Sequence, residues 1–372
     1  EDVNGGPIPL VDLRIQHEQI ADEVTRGMTA VVAGASFILG KEVAEFEDAF
    51  AAFVGVRHCI RVGNGGDALE FALRATGIGA GDEVILPANT FIATAFAVLR
   101  AGGRPVLVDC DPAYHLIDVE GVSRTIGPRT KAILPVHLYG QMAPMEALQS
   151  LAQDRGILLV EDCAQAQGAR RLGACAGSLG AIAGTSFYPG KNLGAYGDAG
   201  AVLTISDDLA RRVRKLRNYG GEAKYEHSEV GFNSRLDTLQ AVVLSAKLRR
   251  LARWNEERRE AARRYDELLR ELPAVTPPST LDGNEHVFHL YVVRVSRRDE
   301  VLRRLHSEKI MAGVHYPRPI HLQGALAFLG HRRGDFPEAE RAAEEVLSLP
   351  IYPGIAPEQQ LRVVEALRKA VS

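Results

Sequence analysis

Cysteine is scarce in this chain of 372 residues: Cys59, Cys110, Cys163 and Cys175 are the four present, and no two form a CxxC pair. Their spacing suggests neither a zinc site nor a disulfide framework. They read as buried or half-buried thiols of a cytosolic protein. No apolar run reaches the roughly 18 residues that a membrane helix needs. No basic stretch followed by an apolar core stands near the N-terminus, so no signal peptide is expected and a cytoplasmic location is. Charge of one sign is not in excess: the net is −3, which argues against a dedicated nucleic-acid binder. Internal repeats and low-complexity tracts are also missing. What remains is 46% hydrophobic, an ordinary globular composition, in a chain too long for one small domain.

From residue 59 onward, short apolar runs alternate with helical stretches. Strands are expected at 59–62, 83–86, 105–108, 132–135, 158–160, 184–187 and 201–205. Alternation of this kind implies an α/β fold with a mostly parallel sheet covered on both faces. Ligands then bind beyond the carboxyl ends of the strands. Residues 1–9 read as an irregular arm, and apolar spacing predicts helices over 15–32, 42–53, 68–75 and 145–154. The basic stretch 208–217 reads as a solvated helix face. A long helix over 236–272 ends at Pro273, Pro277 and Pro278, and the lobe boundary is placed within it. The expected division is a large domain over residues 1–245 and a smaller α+β domain over 246–372. The latter carries a strand at 288–295, a helix at 298–308 and a terminal helix from Pro357.

Four stretches carry candidate chemistry. Thr185-Ser186-Phe187-Tyr188-Pro189-Gly190-Lys191-Asn192 sets a lysine in a glycine-flanked loop with a hydroxyl five residues upstream. An aldehyde cofactor needs a lysine to hold it as an imine and, once released, to move protons. Its phosphate would need short donors such as Ser186. The plain alternative is a surface lysine in a turn. Gly63-Asn64-Gly65-Gly66-Asp67 follows a strand and opens a helix, where backbone N–H groups can approach an anion. Its spacing is not the dinucleotide fingerprint. Phe91, at another strand end, is either a stacking ring or a core residue. Leu158-Leu159-Val160-Glu161-Asp162 is a buried strand ending in two carboxylates on opposite sides. A protonated pyridine nitrogen would give Asp162 the partner that a buried charge requires. The alternatives are a helix cap or a metal ligand, and no His/Cys cluster in the sequence supports a metal.

Taken together these segments resemble the DegT/DnrJ/EryC1/StrS aminotransferases, sugar aminotransferases that use pyridoxal 5′-phosphate in the aspartate-aminotransferase fold (fold type I). Pro135–Gln141, Gly231–Asp237 and His315–His321 extend the resemblance almost to the end of the chain. It implies a seven-stranded sheet in the large domain and a homodimer with shared active sites. It also implies that Lys191 holds the cofactor, Asp162 pairs with its ring nitrogen, Gln165 sits beside its phenolic oxygen and Phe91 stacks on the ring. Gly65, Gly66, Asp67 and Ser186 would take the phosphate, together with Asn233 of the neighbouring subunit. Gly66 departs from the Thr or Ser that members often have there, which removes a hydroxyl donor and keeps the N–H.

The implied reaction passes an amine from L-glutamate, by way of pyridoxamine 5′-phosphate, to a keto sugar on a nucleoside diphosphate. The wording around Tyr188 resembles members that aminate the C3 ketone of a dTDP-linked 6-deoxyhexose, making an amino sugar for an antibiotic, another natural product or a surface glycan. Tyr188, Tyr219, Tyr316 and His321 are expected to reach the sugar or diphosphate, and no metal is expected. The neighbouring readings are a C4 sugar aminotransferase, a cyclitol aminotransferase or an aminohydroxybenzoate synthase. From another class comes a noncatalytic regulatory partner of the same fold.

Overall fold

The computed structural model describes residues 6–223 and 225–372. Residues 1–5 of the expected N-terminal arm lie outside them. Among the described residues, seven strands form the main sheet: β1 (His58–Val62), β2 (Glu83–Pro87), β3 (Arg104–Val108), β4 (Thr130–Ile133), β5 (Leu158–Asp162), β6 (Ile182–Ser186) and β7 (Gly200–Thr204). Their order is β1-β7-β6-β5-β4-β2-β3. β2 is parallel to β3 and β4, and β5 to β4 and β6, whereas β7 is antiparallel to both its neighbours. All seven expected strands are therefore present.

Side-chain alternation divides the sheet's residues between two cores. Val62, Leu86, Ala132, Val160, Ile182 and Val202 face one. Cys59, Ile85, Ile133, Leu159, Ala183 and Leu203 face the other. Burial of both faces is why these strands read as continuous apolar runs. The four cysteines are free thiols in the interior, where burial raises the proton affinity of each.

Two expected elements differ from the sequence reading. The single helix over 15–32 is two, Leu13–Glu18 and Ala21–Ala33. Ile20 leaves helical geometry at φ −126° and ψ 0° and is buried beside Val24, Val243 and Trp254. Gln19 there accepts the Trp254 indole N–H at 3.0 Å. The break buries an isoleucine and satisfies an indole at once, a tertiary gain that periodicity does not register. The strand expected from 288 begins at Tyr291, because Phe288 lies at φ +40°, outside strand geometry.

The helix Thr238–Leu269 is continuous. Ala241, Leu244, Leu248 and Leu251 pack into a sheet core, while Ala261, Ala262, Tyr265 and Leu269 pack into a separate one. A boundary near residue 245 thus falls inside one helix. That separate core also contains an antiparallel sheet of Val275–Thr276, Tyr291–Val295 and Val346–Leu349. The helices Arg298–Ser307 and Pro357–Val371 pack against it. The basic stretch is the helix Asp207–Leu216, which buries Ala210, Val213 and Leu216 and leaves most of its cations toward solvent.

Candidate functional site

A cavity of about 480 Å³ opens at the carboxyl ends of β2, β5 and β6. Gly65, Gly66, Phe91, Asp162, Gln165, Ser186, Tyr188, Lys191 and Tyr316 all line it. These residues span most of the chain in sequence, and the parallel sheet brings them to one edge. Backbone approach shapes one end. A Cβ added to Gly65 would lie 2.5 Å from the Ser186 Cβ, so only glycine lets the start of the helix Gly65–Ala75 meet the end of β6. The Ser186 hydroxyl therefore stands at a helix N-terminus, where unpaired N–H groups and the helix dipole favour an anion. Gly65→Ala is expected to destabilise the protein by about 1–3 kcal/mol through overpacking and to weaken phosphate-group binding. Thermal denaturation with and without pyridoxal phosphate would measure both effects, and an unchanged midpoint with unchanged cofactor binding would reject the close approach.

The cavity floor holds Asp162, only 4% exposed. Thr94 donates to one carboxylate oxygen at 2.9 Å and the Ala164 N–H to the other at 3.1 Å. Burial raises its proton affinity; the two hydrogen bonds and the Lys191 charge only partly oppose this. Lys191 lies in the same cavity, and desolvation lowers its pKa to about 8 despite the attraction of Asp162. The next residue, Asn192, is fully engaged. Its Nδ2 donates to Asn255 Oδ1 at 2.9 Å and to the Val287 carbonyl at 3.0 Å, and its Oδ1 lies 3.2 Å from His289 Nδ1. This buried lattice fixes the backbone that carries the lysine.

On the opposite wall, Gln165 Oε1 accepts the Tyr139 N–H at 2.6 Å and Nε2 donates to the Tyr316 hydroxyl at 3.0 Å. Both ends being held, the amide has one orientation. Phe91 is 51% exposed, and its ring centroid lies 5.3 Å from that of Tyr316. An exposed phenylalanine over a polar floor is a ready stacking surface for a flat ring. The reading of Phe91 as a core residue is thereby set aside.

Four expected residues lie elsewhere. The Asp67 N–H donates to Asn64 Oδ1 at 2.9 Å, so it is occupied by the helix cap, and its side chain accepts from Ser234 at 2.7 Å behind the cavity. His321 is buried against Phe336 with Nε2 2.9 Å from Glu340 and does not reach the cavity. Tyr219 is exposed beneath the Arg235 guanidinium, and Asn233 is exposed on a bridge to Asn218. Neither lines the cavity of its own chain.

Other cavity residues escaped the sequence reading. Leu10 and Val11 reach it because backbone hydrogen bonds of Ile8 to Lys309 and Met311 anchor the N-terminal segment. His289 and His315 also line it, and burial depresses the pKa of each, to about 4 for His315. His315 fell within a stretch that pointed to the family and Thr94 lies three residues after Phe91, whereas His289 carried no signal. His137, Glu161 and Cys163 also converge, a group with metal-ligand chemistry. The His137 Nδ1 accepts the Ala143 N–H, so Nε2 holds the ring proton and donates to Glu161 at 2.8 Å. Three further N–H groups, from Gly177, Leu179 and Gly180, complete the Glu161 carboxylate. The group is satisfied as a structural network.

Comparison with known proteins agrees with this geometry. A "pleiotropic regulatory protein" of Geobacillus stearothermophilus is 47% identical over 97% of this chain and 97% of its own. A "dTDP-3-amino-3,4,6-trideoxy-alpha-D-glucose transaminase" of Micromonospora megalomicea subsp. nigra is 45% identical over 96% and 97%. The crystal structure of DesV from S. venezuelae, in complex with a ketimine intermediate, superposes with a TM-score of 0.95 at 44% identity, covering 98% of each chain. The aminotransferases of this fold type depend on pyridoxal phosphate. Residues 18–368 match one family over nearly the whole chain, and this protein belongs to it: the DegT/DnrJ/EryC1/StrS aminotransferase family.

Proposed function

We propose that this aminotransferase moves the amine of L-glutamate onto the C3 ketone of a dTDP-linked 3-keto-6-deoxyhexose. The observation that carries the catalytic half of this reading is the pairing of Lys191 and Asp162 in one cavity. A desolvated amine and a buried carboxylate with raised proton affinity both lack a full partner there. The donor set of the cavity fits pyridoxal phosphate: Ser186 and the Gly65 and Gly66 N–H groups for an anion, Phe91 for a flat ring, Asp162 for a protonated ring nitrogen and Lys191 for an aldehyde. The cofactor supplies an aldehyde that exchanges amines and a ring that takes up electrons.

Each residue then has a task. Lys191 would hold the cofactor's aldehyde and, as a desolvated amine, would accept and return the substrate proton. Asp162 would keep a ring nitrogen protonated by giving it an opposite charge. Phe91 would offer its exposed face to the ring, and Gln165, already oriented by Tyr139, would offer its amide to the phenolic oxygen. Ser186 and the Gly65 and Gly66 N–H groups would bind the phosphate. Asn233, exposed on its own chain, completes the phosphate site of a second subunit, so the active unit is a homodimer. Tyr188, 59% exposed at the mouth, and Tyr316 meet the sugar. The relative named as a 3-amino sugar transaminase supports the C3 choice. The presence of both Lys191 and Asp162 in the cavity favours an enzyme over a purely regulatory protein, despite the name of the Geobacillus relative.

The test is formation of 2-oxoglutarate from L-glutamate by the protein with pyridoxal phosphate, followed by a panel of dTDP-linked 3-keto and 4-keto sugars and keto-inositols. Amination of the 3-keto sugar is expected, and preference for a 4-keto sugar or a keto-inositol would replace the substrate reading. A pH dependence follows from Lys191. Its folded pKa lies below its ordinary value, so the amine is neutral above about pH 8. Uptake of pyridoxal phosphate by the apoprotein is expected to accelerate as pH rises through 8 and then level off. The stability contribution has the same sign: the unfolded chain binds the extra proton between about 8 and 10.5, so apoprotein stability from this group rises with pH there. A rate of uptake flat from pH 7 to 9 would contradict the desolvated amine.

A further inference from the structure

A second cavity, of about 410 Å³, opens beside the helix Asp207–Leu216 and shares no lining residue with the first. Arg61, Arg211, Arg214, Lys215, Arg217 and Arg235 all line it, against a single acidic lining residue, Glu222. A basic helix face in solvent needs no ligand. The floor of this cavity is different, because two of its guanidiniums are largely withdrawn from water. Arg61 is 8% exposed, and its Nε is buried with no hydrogen-bond partner. Its Nη1 reaches one oxygen of Glu47 at 2.5 Å, while Arg217 Nη1 reaches the other at 3.3 Å and also donates to the Arg61 carbonyl at 2.8 Å. Two cations thus share one carboxylate. Burial, followed by repulsion from Arg61, lowers the Arg217 pKa to about 10.

The rim does not neutralise this surplus. Arg211 is paired with Asp208 and Glu222, and Lys215 lies 3.3 Å from Glu229. Arg214 meets only the edge of His58, at 3.5 Å, and Arg235 lies 5.8 Å above the Tyr219 ring. Neither has a carboxylate within ion-pair distance among the described residues. A partly desolvated cation without a counter-charge is costly, and a multivalent anion held by several guanidinium forks removes that cost.

We propose that this cavity is a second ligand site, one that binds a phosphoryl or pyrophosphoryl group apart from the cofactor cavity of its own chain. Its volume exceeds what an isolated phosphate fills, and Leu39, 59% exposed, adds an apolar wall. Two sources share this chemistry: free pyrophosphate and the diphosphate of a nucleotide.

Calorimetric titration of the full chain, loaded with pyridoxal phosphate, tests it with inorganic pyrophosphate and with dTDP as probes. Arg214→Glu reverses an exposed rim charge. Arg212→Glu makes the same change on the same helix outside the cavity and serves as the control. Pyrophosphate is expected to bind at low ionic strength, to weaken with added KCl as screening grows, and to lose at least tenfold in affinity in Arg214→Glu but less than threefold in Arg212→Glu. If dTDP binds no better than pyrophosphate at the site removed by Arg214→Glu, the free anion is the ligand. If dTDP shows a second equivalent per chain that is at least tenfold tighter and lost in Arg214→Glu, the ligand is a nucleotide. Equal losses in both variants, no pyrophosphate or dTDP binding that Arg214→Glu removes, or a change in oligomeric state in place of ligand binding would each overturn the proposal.

Discussion

Lys191→Ala is expected to lower kcat by at least about 10²–10⁴-fold, the usual contribution of a positioned proton-transfer group, while leaving the fold intact. Lys191 is partly accessible from the cavity, and its charge is disfavoured there by desolvation. Removing it relieves that penalty, so the thermal midpoint of the apoprotein should not fall. The neighbouring Asn192, Asn255 and His289 network is anchored by other atoms and remains. Lys191→Arg should be equally inactive, because a guanidinium stays protonated at any working pH and cannot accept the substrate proton. The measurement is steady-state turnover with L-glutamate and the keto sugar, alongside a denaturation curve. Turnover within tenfold of the parent in either variant would remove Lys191 from the reaction.

Asp162→Asn is expected to act in opposite directions on activity and stability. The substitution keeps the local hydrogen bonds. An amide oxygen can still accept the Ala164 N–H, and the amide nitrogen can donate to Thr94, whose hydroxyl also contacts Thr90 at 2.8 Å. What is lost is the negative charge beneath the ring. Breaking a buried ion pair costs about 3–5 kcal/mol, equivalent to a loss of roughly 10²–10⁴-fold. The apoprotein behaves differently. The Asp162 proton affinity is raised in the fold, so its favourable contribution exists at low pH and is lost as pH rises through the folded pKa. At neutral pH the ionised group is a liability until a cation arrives. Apo Asp162→Asn should therefore melt at or above the parent temperature near pH 7, with the difference shrinking on acidification. A variant that is both inactive and markedly less stable would mean that the carboxylate is chiefly structural.

Each of these residues was legible before the fold, but for unequal reasons. Lys191 stood between Gly190 and Gly194 in a loop, and Asp162 ended an apolar strand; each pattern left a plain alternative open, and only the combined segments of the family resemblance assigned the two roles. Phe91 was ambiguous between core and ligand surface, because sequence carries no measure of exposure at a strand end. Tyr219 and His321 were flagged by segments that accompany the family's chemistry, yet neither lines the cavity of its own chain. A segment can mark a family without each residue meeting the ligand. The Asp67 N–H already has a local partner: Asn64 caps the helix and accepts it.

The order of seven apolar runs and their helices dictated the α/β class, because both faces of a parallel sheet must be buried. The glycine at position 65 likewise dictated where two backbones meet. Other features are decided by long-range packing, which composition and periodicity do not encode. The break at Ile20 depends on Trp254, more than 200 positions away in the chain. Leu10 and Val11 reach the cavity only through the pairing of Ile8 with the segment around Ile310. The shared Glu47 that leaves Arg61 and Arg217 with surplus charge joins a helix, a strand and a loop. Charge and burial at such meeting points arise from the tertiary structure, since desolvation depends on what surrounds a group in space and not on its neighbours in sequence.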